Sequence, residues 1–165
     1  MAGTGINDQA LLRAFQRFLM WKPVSALFPV ILHPVDMFLL RLSGGRWDIT
    51  RISGLPVIEV TAKGAKSGLP RTIPLAGLPD GNKYILIASN FGQEKNPAWY
   101  YNLKANPECV VKKKGRSGTY LARETDGEER EHYWNLAVSY YIGFEAYRQR
   151  ASRRKIPVMV LEPKH

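Results

Sequence analysis

Two kinds of hydrophobic pattern divide the chain. In NDQALLRAFQRFLMW, Leu11, Leu12, Phe15, Phe18 and Leu19 recur at helical spacing opposite Arg13, Gln16 and Arg17, with Asn7 as a capping residue, so an amphipathic helix is expected. The next stretch, PVSALFPVILHPVDMFLLRLSGG, is apolar but interrupted by Pro23, Pro29 and Pro34 and carries His33 and Asp36. It falls short of the ~20 apolar residues that a membrane span needs, and it comes too late for a cleaved signal peptide. Residues 1–45 are therefore read as a helical arm, packed on the body or on a partner subunit, or else resting on an anionic membrane surface through Arg13, Arg17 and Lys22.

From Leu55 the pattern changes to short β-branched or aromatic runs bounded by Gly, Pro, Asp and Asn. Strands are expected at 55–62, 71–78, 83–89, 108–114, 118–124 and 156–162. PDGNK and KGRSG read as hairpin turns, which makes the sheet largely antiparallel. NPAWYYNLKANP reads as a helix with Asn96 as N-cap and Pro97 at its first position. DGEEREHYWNLAVSYY opens a second helix with acids at its N-terminus, and SYYIGFEAYRQR sets Tyr141, Phe144 and Tyr147 at spacings of three on one face of a helix or turn. The expected class is α+β: a small, partly open barrel of about six mainly antiparallel strands over 46–165, with flanking helices and the N-terminal arm.

Composition narrows the chemistry. Among 165 residues, 24 Lys+Arg against 14 Asp+Glu give a net charge of +10, which favours a polyanionic ligand, nucleic acid or an anionic membrane. The basic residues are spread along the chain without a nucleic-acid-binding signature, so no specific nucleic acid is expected. A single cysteine, Cys109, in an apolar run excludes a disulfide framework and fits a reduced, cytoplasmic location, peripheral at the membrane if the arm meets lipid. Three scattered histidines give no metal-ligand spacing, and His132, in an acidic helix start, is read as a surface residue.

The stretch TAKGAKSGLPRTIPL, residues 61–75, concentrates Lys63, Lys66, Arg71, Gly64, Gly68 and Ser67 between two apolar runs. It is not a nucleotide-triphosphate loop, because Val60 stands where the first glycine of that motif belongs and Pro70 blocks a helix start. It offers backbone N–H groups and cations in a hairpin-like setting, which suits an anion.

GAKSGLPR, then Pro74 and Leu75, Ala88 and Ser89, EKNPAWYYNLKANP and finally IPV at 156–158 together resemble the deazaflavin-dependent nitroreductase family, over about residues 57–163. The resemblance implies a split β-barrel oxidoreductase that uses coenzyme F420. The phosphodiester and oligoglutamate tail of that cofactor would be held by Lys63, Gly64, Lys66, Ser67, Gly68 and Arg71, with Ser67 and the glycine N–H groups giving directional hydrogen bonds. Relatives often carry Arg where this chain has Ala65, and Lys63 stands close by. Pro74, Ala88, Ser89, Asn90, Pro97, Trp99 and Asn102 would line the cofactor groove, although Trp99 also suits a plain core anchor. Ala76, Tyr141, Phe144 and Tyr147 would form the substrate wall, their alternative being helix packing. With Phe144 and Ala76 where relatives can have tyrosine, the expected acceptors are planar quinones or unsaturated lactones more than compact nitro compounds.

The implied reaction is hydride transfer to an electron-poor acceptor. Ser89 is the expected hydrogen-bond donor to developing charge, and Tyr141 or Tyr147 a second proton source, a poor one at an ordinary phenol pKa of about 10. Two other readings stand beside it: an FMN-binding reductase of the same barrel type, and a non-enzymatic fatty-acid or lipid carrier. A homo-oligomer is compatible with all three.

Overall fold

The computed structural model describes residues 55–164; the arm reading of 1–45 lies outside the described residues. In chain order the elements are β1 (Val57–Lys63), β2 (Pro70–Ala76), β3 (Leu78–Asp80), β4 (Lys83–Ile87), a short 3-10 turn (Asn90–Gly92), α1 (Ala98–Ala105), β5 (Glu108–Lys113), β6 (Arg116–Glu124), α2 (Gly127–Tyr140), α3 (Gly143–Arg150) and β7 (Val158–Pro163). The seven strands among the described residues join one sheet in the order β2-β1-β5-β6-β7-β4-β3, and every neighbouring pair is antiparallel.

One strand expected at 71–78 is two strands at opposite edges of this sheet. β2 pairs with β1, β3 pairs with β4, and only Gly77 lies between them. A chain cannot cross a flat sheet in one residue, so the sheet curls until its edges meet, giving a half-barrel of the split-barrel type. Gly77 makes that corner possible. Its N–H donates to the carbonyl of Pro56 at 2.9 Å, and a Cβ there would lie 2.4 Å from Cδ1 of buried Ile58.

Side-chain periodicity follows from the curl. In β1, Ile58, Val60 and Ala62 face inward while Glu59 and Lys63 face water. β7 has no wet face: Val158 and Val160 pack with Tyr133, Trp134 and Tyr147 of the helices, while Met159 and Leu161 pack with Val60, Trp99 and Leu103 inside the half-barrel. An uninterrupted VMVL run is what a strand buried on both sides requires. On edge strand β2, Pro70 and Pro74 fall on the same alternate register, where backbone N–H positions face away from β1. Their missing donors blunt an edge that is exposed from Pro70 to Pro74.

Strand parity places the loops. β1 and β4 are four positions apart in an alternating sheet, so both run the same way and the loops that follow Lys63 and Ile87 leave at the same end. The KGRSG hairpin closes with Lys114 and Gly115 at φ 48° and 80°, joining β5 to β6 as expected. The third helical segment, α3, is separated from α2 by an extended Tyr141 (φ −149°).

Gly77→Val should overpack the corner and cost about 1–3 kcal/mol in urea unfolding. Gly81→Ala, at φ 57° with open space around it, serves as the strained-backbone control at about 1 kcal/mol. A Gly77 variant no less stable than that control would show that the corner is not tight.

Candidate active site

The β1–β2 connection, residues 64–69, is a self-bonded loop. The Gly64 N–H donates to the Leu69 carbonyl and the Gly68 N–H to the Gly64 carbonyl, each at 2.9 Å, and the Leu69 N–H donates to Ser67 Oγ at 3.3 Å. Gly68 sits at φ 67°, and a Cβ on Gly64 would come within 2.6 Å of Ser67 Oγ. Both glycine N–H groups are therefore consumed inside the loop, which corrects the expectation that they point at an anion. Side chains are what the loop leaves open to solvent. Lys63, Lys66 and Arg71 are exposed around the loop and have no ion pair among the described residues, whereas Lys83, Lys104, Arg123, Arg148 and Lys164 are each paired with a glutamate.

Helix α1 holds this loop. Asn102 Oδ1 accepts the Ala65 N–H at 2.9 Å, and Asn106 Nδ2 donates to the Lys63 carbonyl at 3.3 Å. The GAKSG and EKNPAWYYNL motifs, far apart in sequence, thus meet through Asn102. The Trp99 ring lies in the inner core with Leu103 and Ala62, 9% exposed, so its bulk serves as a core anchor. Asn96 was expected as the N-cap of α1. The cap position is Pro97, because the Asn96 side chain accepts a hydrogen bond from Arg154 at 2.5 Å instead.

The second wall runs from Ala88 to Asn96. Ala88 is buried and Ser89 half-buried at the end of β4. Asn90, Phe91 and Gly92 then take left-handed φ values of 47°, 56° and 81°, a cluster uncommon enough at non-glycine residues to need support. The Asn90 amide supplies part of it, donating to Gln93 Oε1 at 3.0 Å and the Lys95 carbonyl at 2.8 Å, so this side chain is committed to shaping the loop. Gly92 lies against α3, where a Cβ would meet Arg150 Cβ at 2.8 Å and the Tyr147 carbonyl at 3.1 Å. The Ser89 hydroxyl makes no capping bond to the turn that it begins.

Tyr141, Phe144 and Tyr147 converge as expected, with ring centroids 5.5–6.2 Å apart, and Phe91 stands edge-on to Tyr147 at 6.2 Å. The three are almost wholly buried among Leu78, Ile85, Trp134 and Val160, with Ala76 packed against the cluster. The Tyr141 and Tyr147 hydroxyls face each other at 3.4 Å. Burial pushes the Tyr147 phenol far above its usual range, reinforced by Tyr141, so it stays protonated and is a weaker acid than a free phenol. Cys109 is likewise buried and raised to about 11, which makes it inert.

Arg154 escaped the sequence reading, which counted it only among the basic residues spread along the chain. Its neighbours Arg153 and Lys155 are exposed, but Arg154 turns inward and bonds the Ala88–Asn96 segment at several points. No local signal distinguishes it within ASRRK.

A family profile described as F420H(2)-dependent quinone reductase matches residues 37–163. The chain belongs to that family. It is accordingly an F420-dependent oxidoreductase, and the match starts inside the stretch read as the arm. An F420H(2)-dependent quinone reductase of Mycobacterium tuberculosis is 31% identical over 114 residues, covering 67% of this chain and 76% of its own. A second protein of that organism, provisionally named for the same reaction, is 32% identical over 110 residues, 92% of its own length. Among solved structures, an F420-H2 dependent reductase aligns with a TM-score of 0.60 and 42% identity over 65% of this chain and 94% of that one. A structure described as a domain-swapped dimer aligns equally well, over 80% of its chain.

Asn102→Ala should remove the Ala65 bond and cost about 0.5–1.5 kcal/mol in urea unfolding. Asn102→Asp keeps the acceptor, so stability should return while affinity for a polyanion falls; equal affinity in both variants would separate Asn102 from anion binding at the 63–71 loop. The Tyr147 phenol ionises near pH 10 when unfolded and higher when folded, so the unfolded state sheds its proton first and stability declines above about pH 10. Tyr147→Phe should flatten that decline in urea midpoints taken across the alkaline range, and an unchanged slope would mean the hydroxyl is not buried.

Proposed function

We propose that this protein reduces quinones with a hydride taken from reduced F420, and that the cradle at residues 63–71 binds the anionic end of the cofactor. The observation that carries this reading is the junction at Asn102, which fixes a loop ringed by three cations with no ion pair among the described residues against the helix of the EKNPAWYYNL motif. The donor set suits a flexible polyanion: cationic side chains form charge-assisted hydrogen bonds to phosphate and carboxylate oxygens, about twice as strong as neutral ones. FMN, with one phosphate, would use less of this surface.

When bound, F420 supplies the hydride donor, so the protein's task is binding, orientation and exclusion of water. Lys66 and Arg71, with Lys63, hold the tail. Ser89 donates its hydroxyl to the quinone oxygen on which negative charge develops, and its freedom from a capping role supports this assignment. The Tyr141–Phe144–Tyr147 cluster with Ala76 gives the acceptor an apolar boundary. Hydride addition leaves a hydroquinone monoanion that takes up one proton, and because Tyr147 holds its own so firmly that proton comes from solvent. An apolar, planar quinone fits this boundary better than a compact nitro compound.

Two further proposals concern partners. The arm, through Arg13, Arg17 and Lys22, contacts anionic lipid, placing the enzyme beside a membrane-dissolved acceptor; among the described residues no helix is long and apolar enough to cross a membrane. Self-association is the other, supported by the dimeric description of one relative.

Titration should show binding of F420 and not of FMN, and the reduced cofactor should be oxidised by menadione. Lys66→Ala or Arg71→Ala should weaken cofactor affinity roughly 10- to 100-fold, and Ser89→Ala should lower kcat roughly 10- to 1,000-fold with affinity little changed. Tight FMN binding without F420 binding would end this reading, and full turnover in Ser89→Ala would remove the donor. For the arm, Glu at positions 13, 17 and 22 of the full chain should abolish binding to phosphatidylglycerol vesicles; equal binding would rule out the lipid contact.

A further inference from the structure

We propose that Arg154 is the positioning residue of this site, setting the Ala88–Ser89 backbone and the start of α1 in one fixed arrangement. This rests on the assignment of Ser89 as the donor to the acceptor. The guanidinium reaches four groups on three short pieces of chain. Its NH2 group donates to the Ser89 carbonyl at 2.8 Å, and both terminal nitrogens approach the Ala88 carbonyl at 3.3 Å. Nε donates to the Gln93 carbonyl at 2.8 Å, and the remaining NH1 bond goes to Asn96 Oδ1 at 2.5 Å, one residue before the Pro97 cap of α1.

The clamp is two-sided. The Ala88 N–H donates to the Pro157 carbonyl at 3.0 Å, so the same α3–β7 connection grips the Ala88 residue through its N–H and its carbonyl. That connection is itself anchored: the Arg154 N–H bonds the Ala151 carbonyl at 3.0 Å, and buried Arg130 donates to the Ile156 carbonyl at 3.0 Å. Ser89 thus stands between a clamped Ala88 and three left-handed residues, and Arg154 is the group that ties both sides together. Only a planar fork of five donors can serve these acceptors at once, since a lysine ammonium is a single point at the end of a flexible stem. Misplacing a reacting group by about 1 Å costs on the order of 100-fold in rate, so the clamp affects turnover without touching substrate.

The test compares wild type, Arg154→Lys and Arg154→Ala as full-length proteins, using reduced F420 with menadione as acceptor, oxidised F420 for affinity, and melting temperature. Arg154→Lys should melt within a few degrees of wild type and bind F420 with less than about 3-fold change, yet lose roughly 10- to 100-fold in kcat. In Arg154→Ala, millimolar guanidinium should restore part of the lost kcat, an effect absent from wild type and from Ser89→Ala. Wild-type turnover per folded molecule in Arg154→Lys overturns the proposal whatever the melting temperature, and if Arg154→Ala does not fold this variant alone decides. Guanidinium that fails to raise the turnover of folded Arg154→Ala also overturns it. A wild-type protein that binds F420 but whose Ser89→Ala variant turns over normally removes the underlying donor assignment instead.

Discussion

Ala76 and Leu78 belong to opposite edges of one sheet, and everything about the site depends on the single residue between them. In a flat sheet, strands β2 and β4 would stand five spacings apart, about 24 Å at about 4.8 Å per strand. With Gly77 as the corner they are in contact. The curl therefore brings the loop after β1 and the loop after β4 to one end of the half-barrel on adjacent walls. It also creates the two apolar compartments, one lined by α1 and one by α2 and α3, whose shared partition is β7 with β4.

Polar groups at this end are sorted by whether the fold has already used them. The Gly64 and Gly68 N–H groups, the Asn90 side-chain amide and the Oδ1 atoms of Asn96 and Asn102 are all consumed in shaping loops. The Lys63, Lys66 and Arg71 cations and the Ser89 hydroxyl carry no such structural duty among the described residues. Flexible cations suit a flexible tail, and a hydroxyl on a rigid strand end suits a defined reacting position. The buried Tyr141, Phe144 and Tyr147 rings supply shape and low polarity, and desolvation holds the Tyr147 proton in place.

Much of this was legible from local chemistry. Turn residues and β-branched runs marked six of the strand regions, the acids of DGEE marked the start of α2, and the motif residues pointed to the family that the profile match shows. The basic cluster at 63–71 follows from spacing alone, since hairpin geometry is a local property, and so does the pairing of Phe144 with Tyr147 one turn apart on α3, whereas Tyr141 reaches them from the extended link before that helix.

Long-range pairing decided the rest. Whether 71–78 is one strand or two depends on which edge each half pairs with, and that is set by the curl of a sheet spanning residues 57 to 163. Whether a glycine N–H faces a ligand or its own loop depends on closure of that loop on Asn102, thirty-seven residues from Ala65. Arg154 is the clearest case. In sequence it is one of two adjacent arginines, and only the packing of the α3–β7 connection against β4 turns this one inward to four acceptors while its neighbour stays in water, because hydrogen-bond partners fifty-eight to sixty-six residues away leave no mark on the local pattern.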